Sequence, residues 1–183
     1  MAMSEIENLL GSYEKFVRLP WSQSLAGAQK VWFAVYEPVQ ERRLRLHIPE
    51  FGIVTQKAGH AWKHLDLTDS FAIWMARHEY REAYFEDPES ITLALSDYEN
   101  YLNDQVRTIL QSPDVDDNTV VAISGLSSLF GLTRVSELFR VVSPHVRGRI
   151  LGFFPGRYET SSYRLLDARD GWNYLAVPIT ATD

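Results

Sequence analysis

The chain has 183 residues, 45% hydrophobic and 23% charged, with a formal net charge of −6. That length predicts a single domain over residues 1–183, able to bury roughly 70% of its unfolded surface without a disulfide or metal staple. The absence of cysteine excludes a disulfide framework, a Cys-type zinc site and a thiolate nucleophile, and fits a reducing compartment.

The acidic balance argues against a nucleic-acid wrapper or a basic membrane binder. No run approaches the ~18 apolar residues of a spanning helix, and the polar, acidic start does not read as a signal peptide. The expectation is a cytoplasmic globular protein with no membrane association.

Ile6, Leu9, Leu10, Tyr13 and Val17 predict a helix over 4–17, with Ser4 as N-cap. Lys30-Val-Trp-Phe-Ala-Val-Tyr36 is a compact apolar run, as expected of a strand buried on both faces. Leu44, Ile48, Phe51 and Ala58 place a helical face over 40–58, kinked or divided at Pro49 and stopped at Gly59. Residues 61–67 predict a second strand, after which Thr68 is expected to cap a helix carrying Phe71, Trp74 and Met75. Pro88 opens a long amphipathic helix to about residue 111.

Thr119-Val-Val-Ala-Ile-Ser124 predicts a third buried strand, and Thr133 a cap for the next helix. Ile150-Leu-Gly-Phe-Phe154 predicts a fourth strand, stopped by Pro155-Gly156. Residues 163–166 and 172–177 predict two more, joined by an Asp170-Gly171 turn and expected as an antiparallel edge. Buried strands alternating with helices predict an α/β fold: one three-layer α/β/α domain with a mostly parallel central sheet.

Charge is polarised. Residues 79–117 hold 11 acids against two arginines, whereas 134–169 hold seven arginines, no lysine and three acids. Arginine without lysine suits bidentate pairing with carboxylate or phosphate. The plainer reading is solvated helix faces and internal ion pairs.

Catalytic motifs are few. No Gly-Lys pair exists for a P-loop, and no Gly-x-Gly-x-x-Gly for a dinucleotide fold. Gly125-Leu-Ser127-Ser-Leu129 follows a buried strand, as a nucleophile elbow does, but has leucine where that motif needs its second glycine. Its base would have to be His145, 18 residues on, with no acid-bearing strand between. A loop whose serines satisfy backbone donors, or an anion site made by loop N–H groups, are the other readings.

His78 and Glu82, or His60 and His64, lack the spacing of a zinc motif. No catalytic residue, metal ligand or cofactor is assigned. Tyr80, Tyr84 and Phe85 form an aromatic patch among acids, suited to protein contact.

The segment Val120-Val-Ala-Ile-Ser-Gly-Leu-Ser-Ser-Leu-Phe-Gly-Leu-Thr-Arg134, followed by Gly148-Arg-Ile-Leu-Gly-Phe-Phe-Pro-Gly-Arg-Tyr158, resembles the BrxB family of BREX bacteriophage-exclusion systems. The matching positions are Gly125, Ser127, Ser128, Leu132, Arg134, Phe154, Pro155, Gly156 and Tyr158, and Asp170-Gly-Trp-Asn-Tyr-Leu-Ala-Val177 is similar to the family's closing strand. The match covers about a third of the chain. It departs where many members carry Leu-Phe-Gly and Tyr-Tyr-Arg-Ala, against Leu165-Leu-Asp and Asn173-Tyr-Leu-Ala here.

The resemblance implies a non-enzymatic binding or scaffold component of a phage-defence complex. Its expected partners are a PglZ-like protein of the alkaline-phosphatase superfamily, a PglX-type DNA methyltransferase and a large ATPase. It implies a contact or anion surface formed by Gly125, Ser127, Ser128 and Arg134 with Pro155, Gly156, Arg157 and Tyr158. Ser127 and Ser128 would shape the loop, and Phe154-Pro-Gly would turn the chain sharply so that both motifs meet at one rim of the sheet. A nucleotide- or nucleic-acid-sensing domain using the arginine-rich third, and a hydrolase using Ser127, are the alternatives.

Overall fold

The computed structural model describes residues 4–166 and 176–182, with the backbone of 168–169. Helix α1 (Glu5–Val17) begins with a reciprocal cap: the Ser4 hydroxyl accepts from the Glu7 amide, and the Glu7 carboxylate accepts from the Ser4 amide at 2.6 Å. Strand β1 (Val31–Tyr36) is buried throughout. Helix α2 (Glu41–Lys57) follows as one helix with Pro49 inside it, so of the two alternatives, a kink or a division, the division does not occur. The chain then enters the edge strand β2 (Ala61–Asp66).

The crossover to β3 (Thr119–Ser124) contains α3 (Ser70–Arg77), the short α4 (Arg81–Glu86) and α5 (Leu95–Leu110). Residues 88–94 form a 3₁₀ helix, so the long helix read from the sequence starts later, at Leu95. No residue of α4 is buried. Helix α6 (Val135–Val142) leads to β4 (Arg149–Glu159).

The sheet order is β2-β3-β4-β1-β7, with β7 spanning Val177–Ile179, and every pairing along it is parallel. The chain crosses from β1 out to β2 and then steps back through β3 to β4; with the usual right-handed crossover, that reversal puts helices on both faces. Period-two alternation then divides the core. Trp32 and Ala34 pack with Tyr13, Phe51 and Phe153 beneath α1 and α2. Phe33 and Val35 pack with Tyr98, Phe139 and Phe154 beneath α3, α5 and α6. This is the expected three-layer α/β/α arrangement.

The C-terminal part differs from expectation. Strand β4 does not stop at Pro155-Gly156 but runs on to Glu159 and turns into β5 (Ser162–Leu165), which pairs with it antiparallel and is followed by β6 (Ala168–Arg169). Pro155 opposes the last residue of β1 and lies beyond the end of β3, so its missing N–H interrupts no interior ladder. Gly156 admits β5: a Cβ there would lie 1.8 Å from the Arg164 carbonyl oxygen. The antiparallel element is thus a hairpin on β4, whereas the edge strand β7 is parallel to β1. The predicted turn at 170–171, and the strand over 172–177 apart from its last residue, lie outside the described residues apart from Ala176.

Two predicted caps are also corrected. Asp69 and Arg134 occupy the N-cap positions of α3 and α6, neither with a side-chain cap bond. Thr68 and Thr133 instead bond to Asp66 and Glu99. Among the described residues no helix is long and apolar enough to cross a membrane.

Candidate functional site

The carboxyl ends of β1, β2, β3 and β4 form one rim, the place where parallel sheets open crevices. Gly125 leaves β3 in the left-handed conformation, φ +79°, and a Cβ there would lie 2.4 Å from the Thr68 amide nitrogen and 2.9 Å from an Asp66 carboxylate oxygen. Glycine is required by both backbone angle and space. Ser127 and Ser128 then ride a 3₁₀ turn held by backbone bonds, Ser128 N–H to the Gly125 carbonyl at 3.0 Å and Phe130 N–H to that of Ser127 at 3.2 Å. Buried Leu126 and Leu129 anchor the turn, not the two serines.

Arg134 begins α6 and is exposed. It lines a cleft with Glu99, Thr133 and Glu137, where the Thr133 hydroxyl donates to Glu99 at 2.8 Å. On β4, Arg157 Nε lies 3.4 Å from Glu37, and the Tyr158 ring packs on Tyr163 at 4.7 Å between centroids. Gly156, Arg157 and Tyr158 line a second cleft with Tyr36, Glu37 and Thr180.

Gly125, Ser127 and Ser128 therefore share an edge with Pro155, Gly156, Arg157 and Tyr158, and Leu126, Leu129 and Tyr158 belong to the same apolar cluster. Arg134 and Arg157 nevertheless open into different clefts with no lining residue in common. The eight positions make a rim, not one pocket. His145 lies in the 3₁₀ turn after α6, next to the start of β4, so α6 separates it from Ser127.

A polar chain at this rim was not anticipated from the sequence. The Tyr36 hydroxyl donates to Glu41, and Arg45 donates to Glu41 at 2.9 Å and to the Thr68 hydroxyl at 2.7 Å. The Thr68 hydroxyl and amide donate to Asp66 at 2.5 and 2.9 Å. Register places Asp66 opposite Ser124, whose hydroxyl bonds to His64 Nε2 at 2.8 Å and helps to lower the pKa of Asp66.

Burial would raise the Asp66 pKa, but the Thr68 donors, Arg45 and Ser124 together hold it below the ordinary carboxylate value. Burial pushes His64 down and Arg45 adds to this, against the opposing pull of Asp66. Burial, and then the bond to Glu41, raise the Tyr36 pKa. A serine bonded to a histidine suggests a nucleophile and its base. Ser124 is buried, however, and its hydroxyl faces Asp66 as well, while Gly125 packs directly against Thr68. The arrangement ties the ends of β1, β2 and β3 to α2. The sequence signal was a hydrogen-bonding residue closing each of three strands: Tyr36, Asp66 and Ser124.

Several arginines of residues 134–169 are engaged within the fold. Arg149 is 2% exposed, donates to the carbonyls of Gly148 and Ser22 at 2.9 Å, and lies 4.9 Å from the Trp21 ring centroid. Arg147 donates to the Leu110 and Ser112 carbonyls, and Arg140 to Glu137. Among the described residues no group of three or more His, Asp or Glu is placed to hold a metal ion. The chain matches no protein-family model, no curated protein and no solved structure.

Proposed function

We propose that this chain is a cytoplasmic, non-enzymatic binding or scaffold component of a BREX-type phage-defence complex, and that its rim docks a PglZ-like protein. The observation that carries this reading is the meeting of the two BrxB-like motifs at one sheet edge. There β4 runs past the ends of its neighbours and presents Arg157 and Tyr158 in an open cleft. Polar side chains around an aromatic contact suit a protein interface.

Co-purification with a PglZ-like protein encoded beside it tests the proposal. Retention by the wild type at micromolar concentration and loss with Arg157→Glu/Tyr158→Ala is the expected result. No association of the wild type, or unchanged association of that variant, overturns it.

A further inference from the structure

Helix α2 buries Leu44, Ile48, Phe51 and Thr55 against the sheet. At 100° per residue the opposite face carries Arg42, Arg43, Leu46, Pro49, Glu50, Ile53 and Lys57, all of them exposed. Val39, in the 3₁₀ turn entering the helix, continues that face. Val39, Leu46 and Ile53 are 85%, 78% and 48% exposed; Leu46 and Ile53 stand two turns apart, about 10 Å along the helix at 1.5 Å per residue, and Val39 precedes them in the 3₁₀ turn. A single exposed leucine needs no explanation, but three large exposed apolar side chains at one helix face and its entrance leave an apolar stripe for a second helix to cover.

The charges beside the stripe identify what would cover it. Arg43 is three residues before Leu46 and Glu50 four after, which puts both on the same side of the stripe. A two-fold axis at Leu46 turns a second helix antiparallel. Val39 then faces Ile53 of the other copy, Leu46 faces Leu46, and Arg43 faces Glu50, each cross pair occurring twice. Among the described residues neither Arg42 nor Arg43 makes a salt bridge within 4 Å, and Arg43 acts on Glu7 of α1 only at longer range. Glu50 is bonded only to His47 on its own helix, at 3.0 Å. The Arg43 and Glu50 positions are thus complementary in sign across the two-fold axis, as an isologous contact requires.

We infer that the outer face of α2 is a homodimer interface, with a second copy of this chain as its occupant. This goes beyond the docking function and does not depend on it, since the rim lies at strand ends and this face lies on the helix layer. One helix pair falls at the small end of the interface range, so the dimer is weak, with Kd of order 10–100 µM.

Sedimentation velocity of the full chain from about 5 to 500 µM brackets that range. The expected result is concentration-dependent dimerisation, weakened at least tenfold by Glu50→Arg and restored within about threefold by Arg43→Glu/Glu50→Arg. Because the chain has no cysteine, Leu46→Cys also gives a unique probe. It should oxidise to a disulfide-linked dimer, while Leu93→Cys, at an 83% exposed position, stays monomeric. A wild type that is monomeric throughout overturns the inference. So does unchanged association of Glu50→Arg, failure of the double variant to restore it, or equal cross-linking at positions 46 and 93.

Discussion

Replacing Gly125 with alanine tests whether the rim is held by backbone geometry and close packing together. The φ of +79° costs a residue with a side chain about 1–2 kcal/mol. The added methyl would also lie 2.4 Å from the Thr68 nitrogen and 2.7 Å from its hydroxyl, so Thr68 must move off Asp66. A hydrogen bond to a charged group contributes about 1.5–3 kcal/mol, and the half-exposed Asp66 calls for the lower end. The expected loss is about 3 kcal/mol, or a Tm drop of roughly 6–12 °C for a chain of this size.

Gly131 is the control. Its φ is +78°, but nothing lies within 4 Å of an added Cβ, so Gly131→Ala should lose only the backbone part, about 1–2 kcal/mol. Thermal and urea unfolding followed by circular dichroism measures both. Equal losses at the two positions would refute the close-packing argument.

Arg149→Met should destabilise by about 2–4 kcal/mol in urea melts, because the buried Gly148 carbonyl and the partly buried Ser22 carbonyl lose a charged donor and Trp21 loses its cation. Thr55→Val should cost about 1–3 kcal/mol by stranding the buried Tyr13 hydroxyl bonded to it at 2.6 Å, and Tyr13→Phe/Thr55→Val should recover part of that loss. The folded-state pKa of His64 lies below its ordinary 6.5, so the unfolded chain binds its proton first. That contribution is present above about pH 6.5 and is lost as pH falls through the folded value. Unfolding free energies measured from pH 5 to 8 should rise with pH, and His64→Gln should flatten the rise.

The central strands were legible because a parallel sheet covered on both faces needs unbroken apolar runs, and β1 and β3 are such runs. The capped helix α1 was legible because Ser4 and Glu7 carry a local signal. Tertiary context overrode local chemistry elsewhere. Pro155-Gly156 resembles a strand terminator, but Pro155 opposes only the last residue of β1, and Gly156 makes room for β5. Thr68 and Thr133 precede helices as caps do, yet carboxylates from other elements claim their hydroxyls.

The rim's loops could be placed from the two motifs, since each follows a readable strand. Its polar chain could not, because Arg45 reaches Thr68 across 23 residues and His64 reaches Ser124 across 60. The first depends on how α2 packs beside the end of β2 and the second on the β2–β3 register, neither of which a local pattern encodes.

Strand β4 is at once the middle of the sheet and the arm that leaves it. Over 150–152 it is flanked by both β1 and β3; over 156–159 its described strand partner is β5. Amide hydrogens along this single strand should therefore exchange over a wide range of rates, slowest near Leu151 and fastest toward Glu159. Anything that grips the tip acts on a lever whose other end is embedded in the most protected part of the molecule.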